Sequence, residues 1–361
     1  MNNNDRKVIG LVVNKMSEND NDLFLIPKLR KANFLFELYD LSPLVHGVEL
    51  NKNYADNFIN SFEDLEYLVN NNKDFIIYFG DSLKEKKIFN IFRKIKNKNY
   101  YIINNSVIGV LKDNKSFVNK FFKLLINPKS INEHIYIKFS RKLVFHDFVS
   151  GTSNSSTEIP SYEYENFLKV KSERSSPEKK YHIFLDQNLC YHRDLKDLRY
   201  KLVHSPSEYF STLNLFFNEL ERRTGKRVVI AMHPRANPEL YSFGDRELVF
   251  GKTDKLVSEA DLVLGHFSTA IHYALLFEKD LLLLTMDTIT DFGNKFINDF
   301  SRILKIPSMN ISNENNFENY INHAEYNSYV RRYIASDSVI LNHNSASEII
   351  IKYINNLENT A

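Results

Sequence analysis

Three apolar runs in the second half of this 361-residue chain each end in side chains that can bind or move charge. YHIFLD (181–186) ends at Asp186; RVVIAMH (227–233) ends at His233 before Pro234-Arg235; DLVLGH (261–266) ends at Gly265-His266, just before Ser268-Thr269. Pro234 has no N–H to give a sheet ladder, so it stops the strand and fixes the direction of His233. A histidine at that point can donate to a phosphate oxygen or protonate a leaving group, and Arg235 can pair with phosphate or carboxylate. Gly265 permits close backbone approach. Ser268 and Thr269 add hydroxyls to the unsatisfied amides of a helix start, a combination that binds anions. The plainer use of either hydroxyl is an N-cap. His272, one turn further, either faces the anion site or fills the core.

A metal is the other way to stabilise a leaving phosphate. In DQNLCYHRD (186–194), Asp186, His192 and Asp194 offer one imidazole and two carboxylates, but no second motif completes a ligand set. Asp20-Asn21-Asp22 matches an Asp-x-Asp motif formally, inside a polar stretch where chance explains it better. A helix start with His233 and Arg235 can do the same electrostatic work, so neither a metal nor a cofactor is expected. Cys190 is the only cysteine, which excludes an intrachain disulfide, and nothing near it in sequence activates a thiol.

These residues need a scaffold that brings strand ends together. Around them, strands alternate with helices. Ser205-Pro206-Ser207-Glu208 has the form of a capping box with Pro at the first helical position, Gly225 supplies the stop, and Tyr209, Phe210, Leu213, Phe216, Phe217 and Leu220 mark one apolar face. ELVFG (247–251), a short helix capped by Thr253, a helix over STAIHYALLF (268–277) and a strand DLLLLT (280–285) continue the series. Continuous apolar strands separated by helices imply a parallel sheet covered on both faces, hence a Rossmann-like domain. In such a sheet ligands bind outside the carboxyl ends of the strands, where Asp186, His233 and Gly265-His266 fall.

The first half shows KVIGLVVN (7–14), NFLFELYDL (33–41), DFIIYFG (74–80) and NYYIINNSVIGV (99–110) as β-rich runs, again an α/β pattern. Composition turns polar around 149–160 and 171–180. The reading is an N-terminal Rossmann-like acceptor domain over 1–155, a connection over 156–180 and a C-terminal Rossmann-like nucleotide-sugar-binding domain over 181–361. The balance of 47 Lys plus Arg against 45 Asp plus Glu gives no electrostatic case for a nucleic-acid partner. KEKKIFNIFRKIKNK (84–98) is the basic exception, an amphipathic helix whose basic face is either solvated or a surface for peripheral contact with anionic lipid of an inner membrane. No apolar run reaches the length of a secretory signal or a membrane span, and the single cysteine fits a reducing cytoplasm.

The layout resembles the GT-B glycosyltransferases, two Rossmann-like domains facing a cleft. His233-Pro234 with Ser268-Thr269 is similar to the HP and S-S/T signature of bacterial sialyltransferase-type enzymes that use CMP-activated sugars. FLDQNLCYHRDL, RVVIAMHPRANPE and LVLGHFSTAIHYALLFEKDLLLL resemble surface-carbohydrate proteins of capsule and lipopolysaccharide O-antigen clusters, over residues 181–290. The resemblance implies an inverting, metal-independent transfer of a CMP-linked nonulosonic acid or Kdo-type sugar to a glycan or lipid-linked glycan. It also implies that the last helix returns to the first domain. His233 would meet the donor phosphate and assist its departure, Ser268 and Thr269 would bind phosphate, and Asp186, Pro234, Arg235, Gly265, His266 and His272 would complete the nucleotide-sugar pocket. In those families an acidic pair followed by Gly in the first domain supplies the base. No such pair occurs in the first half of this chain, so Asp81 is the first candidate, from its strand-end loop, with Asp40 and Asp147 as alternatives.

Displacement at an anomeric carbon needs a base on the nucleophile and charge stabilisation on the leaving phosphate. Other readings of the same frame are a CDP-glycerol-type phosphotransferase, a UDP-sugar transferase or epimerase, and a non-catalytic binding protein of a glycan cluster.

Overall fold

A computed structural model of the chain describes residues 6–13, 15–16, 18–72, 75–79, 88, 90–92, 100–104, 146–154, 156–173, 181–191, 201–306, 308–313 and 323–356. They fall into two compact α/β units, divided between Pro160 and Ser161 and again between Ser336 and Asp337.

The first unit is built on a seven-stranded sheet of order β3-β2-β1-β4-β5-β6-β7. Its strands are β1 (Lys7–Val12), β2 (Leu35–Asp40), β3 (Asn57–Phe58), β4 (Phe75–Phe79), β5 (Tyr100–Asn104), β6 (His146–Ser150) and β7 (Thr157–Ile159), and every neighbouring pair is parallel. Side chains alternate between two cores, as strand geometry demands. Val8, Val12, Ile77 and Phe79 face one core, and Ile9, Leu11, Ile76 and Tyr78 the other. Gly10 sits where Phe36, Leu38 and Phe79 converge; a Cβ there would lie 2.8–2.9 Å from all three rings and side chains. The helix Ala346–Asn356 places Ala346, Ile350 and Ile354 in the first of these cores. The chain therefore returns to its first unit after completing the second, as the resemblance implies, and the tail assigned by composition to 181–361 does not belong wholly to one unit.

The second unit carries a six-stranded sheet of order β10-β9-β8-β11-β12-β13, also parallel throughout. The strands are β8 (Tyr181–Leu185), β9 (Val228–Ala231), β10 (Leu248–Val249), β11 (Ala260–Gly265), β12 (Asp280–Thr285) and β13 (Ser308–Asn310). Numbered within the unit, the order is 3-2-1-4-5-6, the Rossmann arrangement. Helix Pro206–Thr224 follows the sequence expectation closely. Ser205 Oγ accepts the Glu208 N–H, Pro206 opens the helix, Gly225 closes it at φ 68, and the six apolar residues singled out are its buried face. Arg246 ties that helix to the segment just before β10 by donating to Glu221, Asn214 and Asn218. The short helix expected to be capped by Thr253 begins there instead, with Lys252 at the cap position and no side-chain cap bond.

Of the basic stretch 84–98, the described Ile88, Ile91 and Phe92 are buried in the first unit, while its lysines and arginine lie outside the described residues. Asp20-Asn21-Asp22 lies inside the helix Glu18–Leu23. Among the described residues no helix is long and apolar enough to cross a membrane, and no group of three His, Cys, Asp or Glu side chains gathers as a metal set.

Candidate functional site at the strand ends of the second unit

In the second unit the strand order reverses between β8 and β11, because successive connections run one way from β8 through β9 and β10 and the other way from β11 onward. Ligands of open α/β sheets bind outside the carboxyl ends at such a switch point. β9 and β11 flank β8, so the ends of these two strands, shortly before His233 and Ser268, are spaced by about 10 Å. Between them lies the segment Asp186-Gln187-Asn188.

Asp186 follows the last residue of β8 and extends the ladder by donating its N–H to Ala231 O at 3.0 Å. Its carboxylate turns back into the protein. Oδ1 accepts the Asn188 N–H at 3.0 Å and Oδ2 accepts the His233 N–H at 3.2 Å. Burial outweighs these hydrogen bonds and raises the carboxyl to about 6. Asp186 thus pins β8 to β9 instead of presenting a charge to solvent. Asn188 adopts φ 55, a left-handed conformation that asparagine tolerates better than most residues, and its Oδ1 accepts the Tyr241 hydroxyl at 2.6 Å. Gln187, only 8% exposed, reaches the other way: its Oε1 accepts the Phe267 N–H at 2.6 Å, joining β8 to the segment after β11.

His233 is half-buried, and Pro234 and Arg235 are exposed. The Arg235 N–H donates to His233 Nδ1 at 3.1 Å. With Nδ1 accepting, the neutral ring carries its proton on Nε2, so the imidazole is oriented as an Nε2–H donor. After β11 the chain turns tightly: Ala270 N–H donates to Ser268 Oγ at 3.2 Å and Ile271 N–H to Ser268 O at 3.2 Å. The helix that follows runs only over Ile271–Leu276. Ser268 and Thr269 are half-buried in this turn. A Cβ on Gly265 would meet its nearest neighbours, on Ile271 and Leu185, at 3.6–3.8 Å, ordinary contact, so the surrounding protein does not itself demand glycine there.

Two histidines assigned to the pocket sit in the core. His266 is fully buried, with Nδ1 donating to Leu284 O at 2.7 Å and Nε2 accepting from the Tyr209 hydroxyl at 3.0 Å. Burial lowers its pKa to about 4 and keeps it neutral. His272 is equally buried, 3.2 Å from the Tyr329 hydroxyl and 3.6 Å from the Glu163 carboxylate, so it packs between helices. The strand ends therefore bring together Asp186, His233 and, through Gln187, the turn of Ser268 and Thr269. They do not include His266 or His272. Gln187, Asn188 and Tyr241 join them without having been singled out, although three consecutive polar residues directly after a buried strand were a usable signal.

Cys190 is half-buried and its thiol is pushed up to about 12, first by burial and then by Asp186. In the first unit, Asp40 is buried at the end of β2, where it accepts from Ser42 N–H, Ser42 hydroxyl and Asn51 N–H at 2.8, 2.7 and 3.0 Å. That is the pattern of a turn-holding carboxylate. Asp147 lies within β6 and not in a strand-end loop. Asp81, His192 and Asp194 lie outside the described residues.

No model of a protein family matches the chain, and no curated protein does. Among solved structures it is similar to a UDP-GlcNAc 2-epimerase from Neisseria meningitidis bound to UDP-GlcNAc, at 14% identity over 96% of this chain and 99% of that one, with a TM-score of 0.48. It is also similar to S. aureus MnaA in a structure with UDP (10% identity, 97% of each chain, TM-score 0.47). A third is Phytolacca americana UGT2 complexed with UDP-2fluoro-glucose and pterostilbene (11% identity, 97% of this chain and 94% of that one, TM-score 0.46). At these values the likeness carries nothing about activity. The α/β class rests on the chain's own two strand orders, which make each unit Rossmann-like.

Proposed function

We propose that the protein is a glycosyltransferase that holds the phosphate of a nucleotide-activated sugar at the ends of β8, β9 and β11. The observation that carries this reading is the state of His233. Its backbone is pinned by Asp186 and its Nδ1 accepts the Arg235 N–H, so the neutral ring carries its proton on Nε2, on the loop after β9 at the switch point of the sheet. A donor fixed before the reaction stabilises charge as it develops, with no reorganisation at the moment of bond breaking. As the bond between anomeric carbon and phosphate oxygen breaks, negative charge grows on that oxygen. His233 Nε2–H donates to it, and Arg235 adds positive charge from the same loop. The hydroxyls of Ser268 and Thr269 bind the phosphate from the β11 side. Asp81 remains the first candidate for the base on the acceptor hydroxyl. The reading gives no role to a metal.

The resemblance in His233-Pro234 and Ser268-Thr269 favours a CMP-linked acidic sugar. A phosphate site is indifferent to the base it carries, so a UDP-sugar transferase or epimerase is the second reading. Thermal shift with CMP, UDP, GDP and their sugars separates the two. Response to CMP alone, followed by acceptor-dependent CMP release that His233→Ala abolishes, supports the first. Preference for UDP refutes the CMP donor, and conversion of a UDP-sugar without acceptor identifies an epimerase. If no nucleotide stabilises the protein and His233→Ala behaves like wild type, the reading is lost.

A further inference from the structure

We infer that Gln187 is a phosphate-binding residue, its side-chain NH2 donating to the phosphate oxygens of the ligand; this rests on the nucleotide-sugar reading above. A carboxamide can be placed in either of two flips, and here the partner decides between them. Phe267 offers a backbone N–H, which only the oxygen can accept, and the contact is 2.6 Å. Oε1 is therefore committed, and the NH2 lies beside it at the seam of β8 and β11. Among the described residues no group accepts from that NH2. The residue as a whole is only 8% exposed, and its Nε2 is not among the fully buried polar atoms left without a partner, so what little of it meets solvent includes the NH2.

Because no protein group takes the NH2, that donor is left to a ligand or to water. Gln187 is also a poor choice for a purely structural link, since a backbone N–H needs only an acceptor. The NH2 adds donors that the fold does not use. With its oxygen anchored on the Phe267 N–H, the end of the side chain left to a ligand is the NH2, so it favours partners rich in acceptors. Its place is the topological switch point, where open α/β sheets take their ligands. A phosphate fits best: it presents acceptors in several directions, and its charge strengthens each bond from a neutral N–H. Gln187 holds the centre of the row, with the Nε2–H of His233 on the β9 side and the hydroxyls of Ser268 and Thr269 on the β11 side.

The test is Gln187→Glu, which keeps an oxygen for Phe267 N–H and replaces the NH2 with a second oxygen that repels phosphate. Binding of CMP, UDP and inorganic pyrophosphate is measured by calorimetry on wild type, Gln187→Glu and Gln187→Leu, beside urea unfolding of each. The expected result is that Gln187→Glu stays folded, though less stable than wild type because it sets a carboxylate beside Asp186 at a mostly buried position, and binds both nucleotide and pyrophosphate about 10- to 100-fold more weakly. Gln187→Leu, which strands the Phe267 N–H, should lose stability as well. Equal binding by wild type and Gln187→Glu overturns the inference and leaves the nucleotide-sugar reading standing. Loss of nucleotide binding with pyrophosphate unchanged assigns Gln187 to the base and overturns the phosphate role. If wild type binds pyrophosphate but no nucleotide, and Gln187→Glu loses it, the inference holds and the functional reading falls. If wild type binds neither, both fall.

Discussion

The Asp186 carboxylate accepts the backbone N–H of His233 across 3.2 Å, so the residue just after β8 holds a residue two places past the end of β9. The same carboxylate accepts from Asn188 N–H, and Tyr241 closes the group through Asn188 Oδ1. The direction of His233, two residues past the end of β9, is therefore held by Asp186, which anchors its main chain from the neighbouring strand. A side chain can be aimed only as well as its backbone is held, which makes Asp186 a positioning residue for the proposed phosphate donor.

Asp186→Asn tests that role. The amide keeps one acceptor and turns an NH2 toward one of two backbone N–H groups, so a donor faces a donor in a buried site. The expected loss is about 1–3 kcal/mol of stability, read by urea unfolding. Nucleotide binding should weaken together with His233→Ala, and the double variant should lose less than the sum, because both changes act through one imidazole. Additive losses would separate Asp186 from His233.

The same carboxyl gives a pH signature with a definite sign. Its value rises from 3.8 in the unfolded chain to about 6 in the folded protein, chiefly by burial. Between those values the folded state holds a proton that the unfolded state has released, so this group's contribution to stability falls as pH rises from about 4 to about 6. His266 works in the opposite sense. Lowered from 6.5 to about 4, it stays neutral while the unfolded chain takes up a proton, so its contribution falls on acidification through the same range. The two slopes oppose, and wild type alone will not reveal either. Subtracting the unfolding midpoints of Asp186→Asn from those of wild type at each pH from 4 to 7 should leave a curve that declines with rising pH. A flat difference would mean that Asp186 ionises normally.

Much of the second unit was readable from local pattern. Helix Pro206–Thr224 was marked by Ser205, Pro206 and Gly225 and by apolar residues at helical spacing, and strand Asp280–Thr285 by its unbroken aliphatic run. Such signals lie within a few residues of what they specify. Strand ends were harder: the ladders of β8, β9 and β11 stop at Leu185, Ala231 and Gly265, short of the polar residues that end each apolar run. The histidines could not be sorted at all. His233, His266 and His272 occupy similar sequence settings, and what separates them is a partner far along the chain. His266 meets Tyr209 and His272 meets Tyr329, each 57 residues away. Gln187 was passed over for the same reason, since its partner Phe267 is 80 residues on. The end of the apolar run at His233-Pro234 marked where a candidate site could lie; only tertiary pairing could say which side chains gather there.

Cys190 provides a direct check on the packing of the loop after β8. Burial and the nearby Asp186 push its thiol up to about 12, so almost no thiolate exists at neutral pH. As the chain has one cysteine, labelling reports on this position alone. Native protein at pH 7.5 should react with a disulfide reagent far more slowly than protein in urea, and a saturating nucleotide should slow it further if the loop tightens around the ligand. Native labelling as fast as in urea would mean that the loop is open.

The Tyr209–His266–Leu284 chain offers a way to tell a core histidine from a site histidine. The Tyr209 hydroxyl donates to Nε2 and Nδ1 donates to the Leu284 carbonyl, so both ring nitrogens are spent inside the second unit. Tyr209→Phe removes the donor and leaves a buried acceptor unmet, at a cost of about 1–3 kcal/mol. His266→Phe fills a similar volume but leaves the Tyr209 hydroxyl and the Leu284 carbonyl without their partner, so it should cost at least as much. Once either is gone the other loses its purpose, and the double variant should therefore be less destabilised than the two single losses added. All three variants, where folded, should bind nucleotide as wild type does, in contrast to His233→Ala. A His266→Phe protein that keeps its unfolding midpoint but no longer binds would return His266 to the pocket.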